Sequence, residues 1–170
     1  RVLVSFGGID APGATLMALE ALALAGMDAR PVDVVAGPRN PHQPAIRAWC
    51  AAHPQATWHE SADMGALMAR AGLAIGAAGA TAWERCCLGL PTLLVTIAAN
   101  QRPGAQALAA ASAALWAGDA EHLDAPALAR LLRELTQDAD RLKAMTMAAQ
   151  AITDGLGSAR MAARMIEHMT

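Results

Sequence analysis

A parallel, doubly wound α/β domain is the fold class this sequence predicts, on three observations. Short apolar runs alternate with amphipathic, alanine-rich segments along most of the 170 residues. The apolar runs stop abruptly at glycine or proline, at Gly7-Gly8, Gly37-Pro38 and Gly76. Residues 72–101, GLAIGAAGATAWERCCLGLPTLLVTIAANQ, then compress a strand, a glycine turn, a helix and a second strand into one stretch. That sequence of signals is the βαβ unit of an open parallel sheet.

Each element follows from its own residues. Residues 2–6 are strand-like and end at Gly7-Gly8, and residues 9–12 form a loop. A helix runs over residues 14–25, with Leu16, Leu19 and Leu22 near helical spacing and Gly26 as its stop. Residues 31–36 make a second buried strand. The loop over residues 37–44 holds Pro38, Pro41 and Pro44, and a short helix follows over residues 45–52. Residues 56–59 are a weak third strand. Asp63 or Ser61 caps the next helix, in which Met64, Leu67, Met68 and Ala71 form an apolar face. Leu73, Ala74 and Ile75 form the fourth strand, and Leu93, Leu94 and Val95 the fifth, after Pro91. A helix over residues 101–111, a short last strand over 114–116 and helices over 125–135, 138–152 and 158–168 complete the chain. Met161, Met165 and Met169 repeat every fourth residue on the last helix, a packing face for this core or for a neighbour.

Composition narrows the function classes. Apolar residues make up 55% and charged residues 16%, enough for one domain with a proper core. No apolar run approaches a membrane span. The net charge of −2, without a basic block, argues against nucleic acid as a partner. Tyrosine is absent and Phe6 is the only phenylalanine, so stacking platforms for single strands are few. The cysteines Cys50, Cys86 and Cys87 and the five histidines show no metal-ligand spacing, and the odd thiol count suits a reducing, cytoplasmic setting. The chain opens on Arg1 and enters a strand at once, which reads as a single domain, residues 1–170, excised from a two-domain chain.

The candidate site gathers at the carboxyl ends of the strands, where open α/β sheets bind ligands. Gly7 and Gly8 either let a ligand approach the backbone or simply form a tight turn. The turn over residues 76–81 precedes a helix N-terminus, whose N–H groups and dipole attract phosphate. Thr81 reads as the N-cap, and with Glu84 it completes a T-x-x-E capping box. Glu84 then either caps the helix or accepts hydrogen bonds from sugar hydroxyls. Asn100 and Gln101, after the fifth strand, either bracket a sugar or cap the following helix. Asp10 is either a catalytic carboxylate or a turn residue, and His42 and His59 lie in segments that could face a cleft.

The run GAAGATAWERCCLGLPTLLVTIAANQ, with VLVSFGGID at residues 2–10 and GPRNPH at 37–42, resembles the nucleotide-sugar half of GT-B enzymes. It is most similar to the UDP-sugar hydrolases of pseudaminic acid biosynthesis, the PseG family, and more distantly to MurG-type N-acetylglucosaminyltransferases. The resemblance runs from Arg1 to about residue 111, and more loosely beyond. It implies a Rossmann-like domain, the C-terminal half of a GT-B fold. It also implies UDP or a UDP-sugar as ligand, UDP-2,4-diacetamido-2,4,6-trideoxy-β-L-altropyranose as substrate, and no cofactor or metal. Under that resemblance Gly7, Gly8, His59, Gly76, Ala78, Gly79, Ala80, Thr81 and Glu84 form the UDP site. The diphosphate falls at residues 76–81, the ribose at Glu84, and the uracil at the backbone of residues 58–60. Asn100 and Gln101 approach the hexose, and the catalytic histidine belongs to an N-terminal domain outside this sequence. Ile9, Ala80, Ala82 and Ala99 depart from the pattern, standing where the family often carries polar residues. Two further readings stay open: the UDP-sugar domain of a GT-B glycosyltransferase, and a non-catalytic nucleotide-binding module.

Overall fold

The computed structural model describes residues 1–167. Six strands, β1 (Val2–Ser5), β2 (Val32–Val35), β3 (Ala56–His59), β4 (Leu73–Gly76), β5 (Thr92–Thr96) and β6 (Leu115–Asp119), form one sheet. All pairs are parallel, and the order is β3-β2-β1-β4-β5-β6. The strands alternate with α1 (Ala14–Leu24), α2 (Gln43–Ala52), α3 (Met64–Arg70), α4 (Ala80–Cys87) and α5 (Arg102–Ala110). The helices α6 (Ala125–Gln137), α7 (Ala139–Ile152) and α8 (Gly157–Glu167) follow. The chain starts at the middle of the sheet with β1, winds outward to β3, then crosses back to place β4 on the other side of β1. That reversal opens a crevice between the loops leaving β1 and β4.

Parallel strands are covered on both faces, so their residues are apolar almost without alternation. Val2, Val4, Leu73, Ile75, Leu93 and Val95 point toward α1, α2 and α6, where Leu19, Leu22, Ile46, Leu128 and Leu132 fill the larger core. Leu3 and Ala74 point the other way, against Leu67 and Met68 of α3. On that same side Leu94 meets Ala82 and Cys86 of α4 and Leu108 of α5, with Ala149 of α7 behind them. Among the described residues, no helix is long and apolar enough to cross a membrane.

The boundaries differ from the sequence reading where local chemistry allowed two answers. The second helix begins at Gln43, because Pro44 fits the first helical turn, where its missing N–H costs nothing. A single 3-10 turn over Ala99–Gln101 precedes α5, which starts at Arg102. β6 runs on to Asp119, past the predicted end at Trp116, through an irregularity in its pairing with β5 between Leu94 and Val95. The methionine face of α8 does not pack on this core. Met161 and Met165 are each 61% exposed, and Met169 lies outside the described residues, as does His168.

Candidate functional site

The site is built where β1 and β4 end side by side. Ser5 and Gly76 are register partners, so both strands deliver their loops at the same level. A Cβ at Gly76 would lie 2.5 Å from the Ser5 carbonyl oxygen and 2.8 Å from Arg85 Nη1, so only glycine lets the two strands and the buried guanidinium meet there. Gly7 takes φ +86°, a left-handed conformation that turns the chain off β1. Gly8 stands open, and Gly37, at the end of β2, would place a Cβ 3.4 Å from the Gly8 Cα. A groove of about 270 Å³ lies over Gly7, Gly8 and Gly37, and Thr81, Glu60, Ser61 and Met64 also line it.

The start of α4 differs from the predicted capping box. Gly79 is the N-cap, in extended conformation, and Ala80 is already helical, so Thr81 lies inside the first turn. No side chain caps the helix, and Glu84 does not reach back. The reason is internal. Arg85 sends its guanidinium back along the helix, where Nη1 donates to Thr81 Oγ1 at 3.4 Å and Nη2 to the Ala77 carbonyl at 2.6 Å. Thr81 is thereby held at helical spacing from Arg85, four residues on, rather than turned out as a cap. The first N–H groups of α4 thus lack a side-chain acceptor at the mouth of the groove.

Glu84 is exposed, one turn beyond Thr81 on the same helix. It borders a second, larger groove of about 670 Å³ with Met68, Trp83 and Cys87. Met64 lines both grooves, so they meet along the start of α3. The two grooves share Met64: the glycines and Thr81 line one, and Glu84 lines the other with Trp83 and Met68.

Other predicted residues are placed less centrally. Asp10 is buried at φ +44°, with Oδ1 accepting from Ala14 N at 2.9 Å and Oδ2 from Thr15 N at 2.8 Å. Its carboxylate is occupied with the N-terminus of α1. His59 sits on β3 and contacts Asp33 on β2 at 2.9 Å. Asp33 also accepts from Arg70 at 2.7 Å and Arg1 at 3.0 Å. Burial pushes the Asp33 carboxyl up, but the hydrogen bonds from His59, Arg1 and Arg70 outweigh it and hold the group below the usual carboxylate value. His59 is thus a partner in an ion cluster beside the groove, whereas Glu60 and Ser61, immediately after it, line the groove. His42 lies within hydrogen-bond reach of the Ala11 carbonyl. Gln101 uses Oε1 to accept from Ile97 N at 3.1 Å, and its amide nitrogen faces the Gly79 turn, 3.9 Å from where a Cβ there would sit. Asn100 is exposed at the exit of β5.

Two features escaped the sequence reading. One is Arg85, 1% exposed although it follows an exposed glutamate. Its only sequence signal is its place three residues after Ala82 and next to Cys86, on the buried stripe of α4. The other is Asp119 at the end of β6, whose two oxygens share the Arg102 Nε hydrogen, at 3.0 and 2.9 Å, and which also accepts from Thr96 Oγ1. The Arg102 and Thr96 hydrogen bonds hold its carboxyl below the usual value.

The strand order and the crevice between β1 and β4 define a Rossmann-like domain of the type that forms the C-terminal half of GT-B proteins. The chain belongs to the glycosyltransferase family 28 C-terminal domain family, whose model matches residues 29–162. It is 33% identical over 121 residues to the spore coat polysaccharide biosynthesis protein SpsG of Bacillus subtilis (strain 168), covering 69% of this chain and 35% of that protein. Its fold is similar to that of MurG from Acinetobacter baumannii, with a TM-score of 0.66 and 24% identity over 89% of this chain and 45% of that one. It is also similar to Os79 from O. sativa, solved in complex with UDP, with a TM-score of 0.71 and 18% identity over 90% of this chain and 35% of that one. The chain thus spans about a third of the curated relative's length and less than half of these two solved chains.

Proposed function

We propose that this domain binds a UDP-sugar, with the diphosphate over Gly7, Gly8 and residues 76–81, and that the longer protein it represents hydrolyses that sugar nucleotide. The observation that carries the reading is the uncapped N-terminus of α4 at the mouth of the glycine groove, with a free carboxylate one turn along. A diphosphate would satisfy the open N–H groups and gain from the helix dipole. Glu84 would accept from the ribose hydroxyls, far enough along α4 to avoid facing the phosphates. The backbone of Glu60 and Ser61 would meet the base, and Gln101 and Asn100 the hexose.

In this reading a water oxygen bonds to the anomeric carbon while the bond from that carbon to the diphosphate oxygen breaks. The departing UDP gains negative charge, which the α4 N-terminus stabilises. Asp10 and His59 are otherwise engaged, and the resemblance implies that the histidine that activates water belongs to a second domain across the cleft. The sequence resemblance to PseG hydrolases supports UDP-2,4-diacetamido-2,4,6-trideoxy-β-L-altropyranose as substrate. The likeness to a polysaccharide biosynthesis protein supports a role in surface-glycan precursors. Membership of a glycosyltransferase family favours the second reading, transfer of the sugar to an acceptor.

Calorimetry on the 170-residue chain should show UDP binding more tightly than UMP. Equal affinities would sink the diphosphate placement. With the full-length protein in water enriched in oxygen-18, hydrolysis yields labelled free sugar and UDP without any acceptor. A strict requirement for an acceptor would select the transferase.

A further inference from the structure

We infer that Arg85 is a positioning residue for the anion site, orienting the 76–81 turn and the Thr81 hydroxyl from beneath without touching the ligand. The inference rests on the reading of that turn as the diphosphate site.

The guanidinium is an unusual thing to bury. Arg85 is 1% exposed, and no described carboxylate lies within ion-pair distance. Its Nε has no hydrogen-bond partner. Burial presses its pKa down, and with partial relief from Cys86 and Glu84 it lies at about 10. A guanidinium buried without a carboxylate partner costs stability that an apolar side chain would not.

What the charge does is visible in its two hydrogen bonds. Nη2 holds the Ala77 carbonyl inward at 2.6 Å. With that carbonyl turned toward the interior, the N–H groups of the following peptides are free to face the groove. Nη1 donates to Thr81 Oγ1. A hydroxyl has one hydrogen, and a guanidinium can only donate. Thr81 therefore spends an acceptor lone pair on Arg85 and keeps its own hydrogen for the groove, which it lines. An oxygen that accepts from a cation is also a better donor. The arrangement presents the groove with donors and, just below them, a positive charge with no described carboxylate in ion-pair contact. An incoming diphosphate supplies a countercharge.

The test uses isothermal titration of the full chain with three probes: UDP, inorganic pyrophosphate and uridine. Arg85→Met removes the charge at similar volume, Arg85→Lys keeps it, and Thr81→Val and Thr81→Ser remove and retain the hydroxyl. Arg85→Met should weaken UDP and pyrophosphate by about 10- to 100-fold, the scale of one or two charge-assisted hydrogen bonds. It should leave uridine affinity unchanged, whatever the change in ligand-free melting temperature from the lost bond to the Ala77 carbonyl. Arg85→Lys should recover part of the loss. Thr81→Val should weaken pyrophosphate and Thr81→Ser should not, and Thr81→Val should add little in the Arg85→Met background. Should Arg85→Met fail to fold, the Thr81 pair decides the question.

Unchanged pyrophosphate affinity in Arg85→Met and Thr81→Val overturns the inference. So does a parallel fall in melting temperature and in all three affinities, which marks a structural arginine. If the wild-type chain binds pyrophosphate but gains nothing from the uridine moiety, the UDP reading fails while Arg85 is still judged on pyrophosphate. If it binds neither UDP nor pyrophosphate, both fall.

Discussion

Adding one methyl group at Gly76 should separate the architecture of the site from its chemistry. The Cβ of Gly76→Ala would sit 2.5 Å from the Ser5 carbonyl oxygen and 2.8 Å from Arg85 Nη1, both well inside van der Waals contact. Gly76 does not adopt a positive φ, so backbone strain contributes nothing and the cost is purely steric. Ser5 is pinned by the β1–β4 register, and its carbonyl accepts from Ala77 N. Arg85 is pinned by its short bond to the Ala77 carbonyl. Relief requires either parting β1 from β4 or pushing the guanidinium off Ala77. Overpacking costs about 1–3 kcal/mol, and a lost hydrogen bond to a charged group about 1.5–3 kcal/mol. The two routes are alternatives, so the expected loss is about 2–3 kcal/mol. At roughly 2–4 °C per kcal/mol for a chain of this size, the melting temperature should fall by roughly 4–12 °C. Differential scanning calorimetry measures it directly, with Gly8→Ala as the control. A Cβ at Gly8 meets nothing within 4 Å, so that variant should melt like the wild type while crowding the groove and weakening UDP. A Gly76→Ala shift within that of Gly8→Ala would refute the packing argument.

Glu84→Gln should lower UDP affinity by about 10- to 100-fold, from loss of a charged acceptor, with the melting temperature unchanged, since Glu84 does not cap α4. Calorimetric titration alongside thermal melts checks both, and unchanged affinity would remove Glu84 from the ribose. Acid stability should depend on Asp33, whose folded-state pKa is lowered. A lowered carboxylate pKa contributes stability that is present above the unfolded value of about 4 and is lost as pH falls through the folded one. Urea unfolding from pH 6 to pH 2 should therefore show a steep loss below pH 4 in the wild type and a shallower one in Asp33→Asn; identical slopes would show that the cluster contributes no pH-dependent stability.

Much of the fold is legible in the chain itself, because a parallel sheet buries both faces of its inner strands. That demand turns those strands into nearly unbroken apolar runs, most of them bounded on one side by glycine or proline. Runs such as Leu73–Gly76 and Thr92–Thr96 carry their own boundaries. Helix starts are also local when a side chain makes them, as Asp63, Asp124 and Asp138 do. The start of α4 is different. Thr81 and Glu84 have the spacing of a capping box, yet the helix begins earlier because Arg85 holds Thr81 from within.

Contacts between distant segments were decided only by tertiary structure. His59 has no sequence neighbour that explains its role; β2–β3 pairing brings it to Asp33. Asp10, by contrast, is engaged locally: Ala14 and Thr15, four and five residues on, donate their N–H groups to its two oxygens. Arg85 looks like a surface residue beside Glu84, and nothing local says which of the two is buried. Packing α4 against β5, with α7 behind it, makes that choice, and Gly76 leaves room for the guanidinium. Local propensity and burial pattern act through the nearest few residues, and so can be read from the chain. The surroundings of a buried charge are set by elements far apart in sequence, and exist only once those elements have packed.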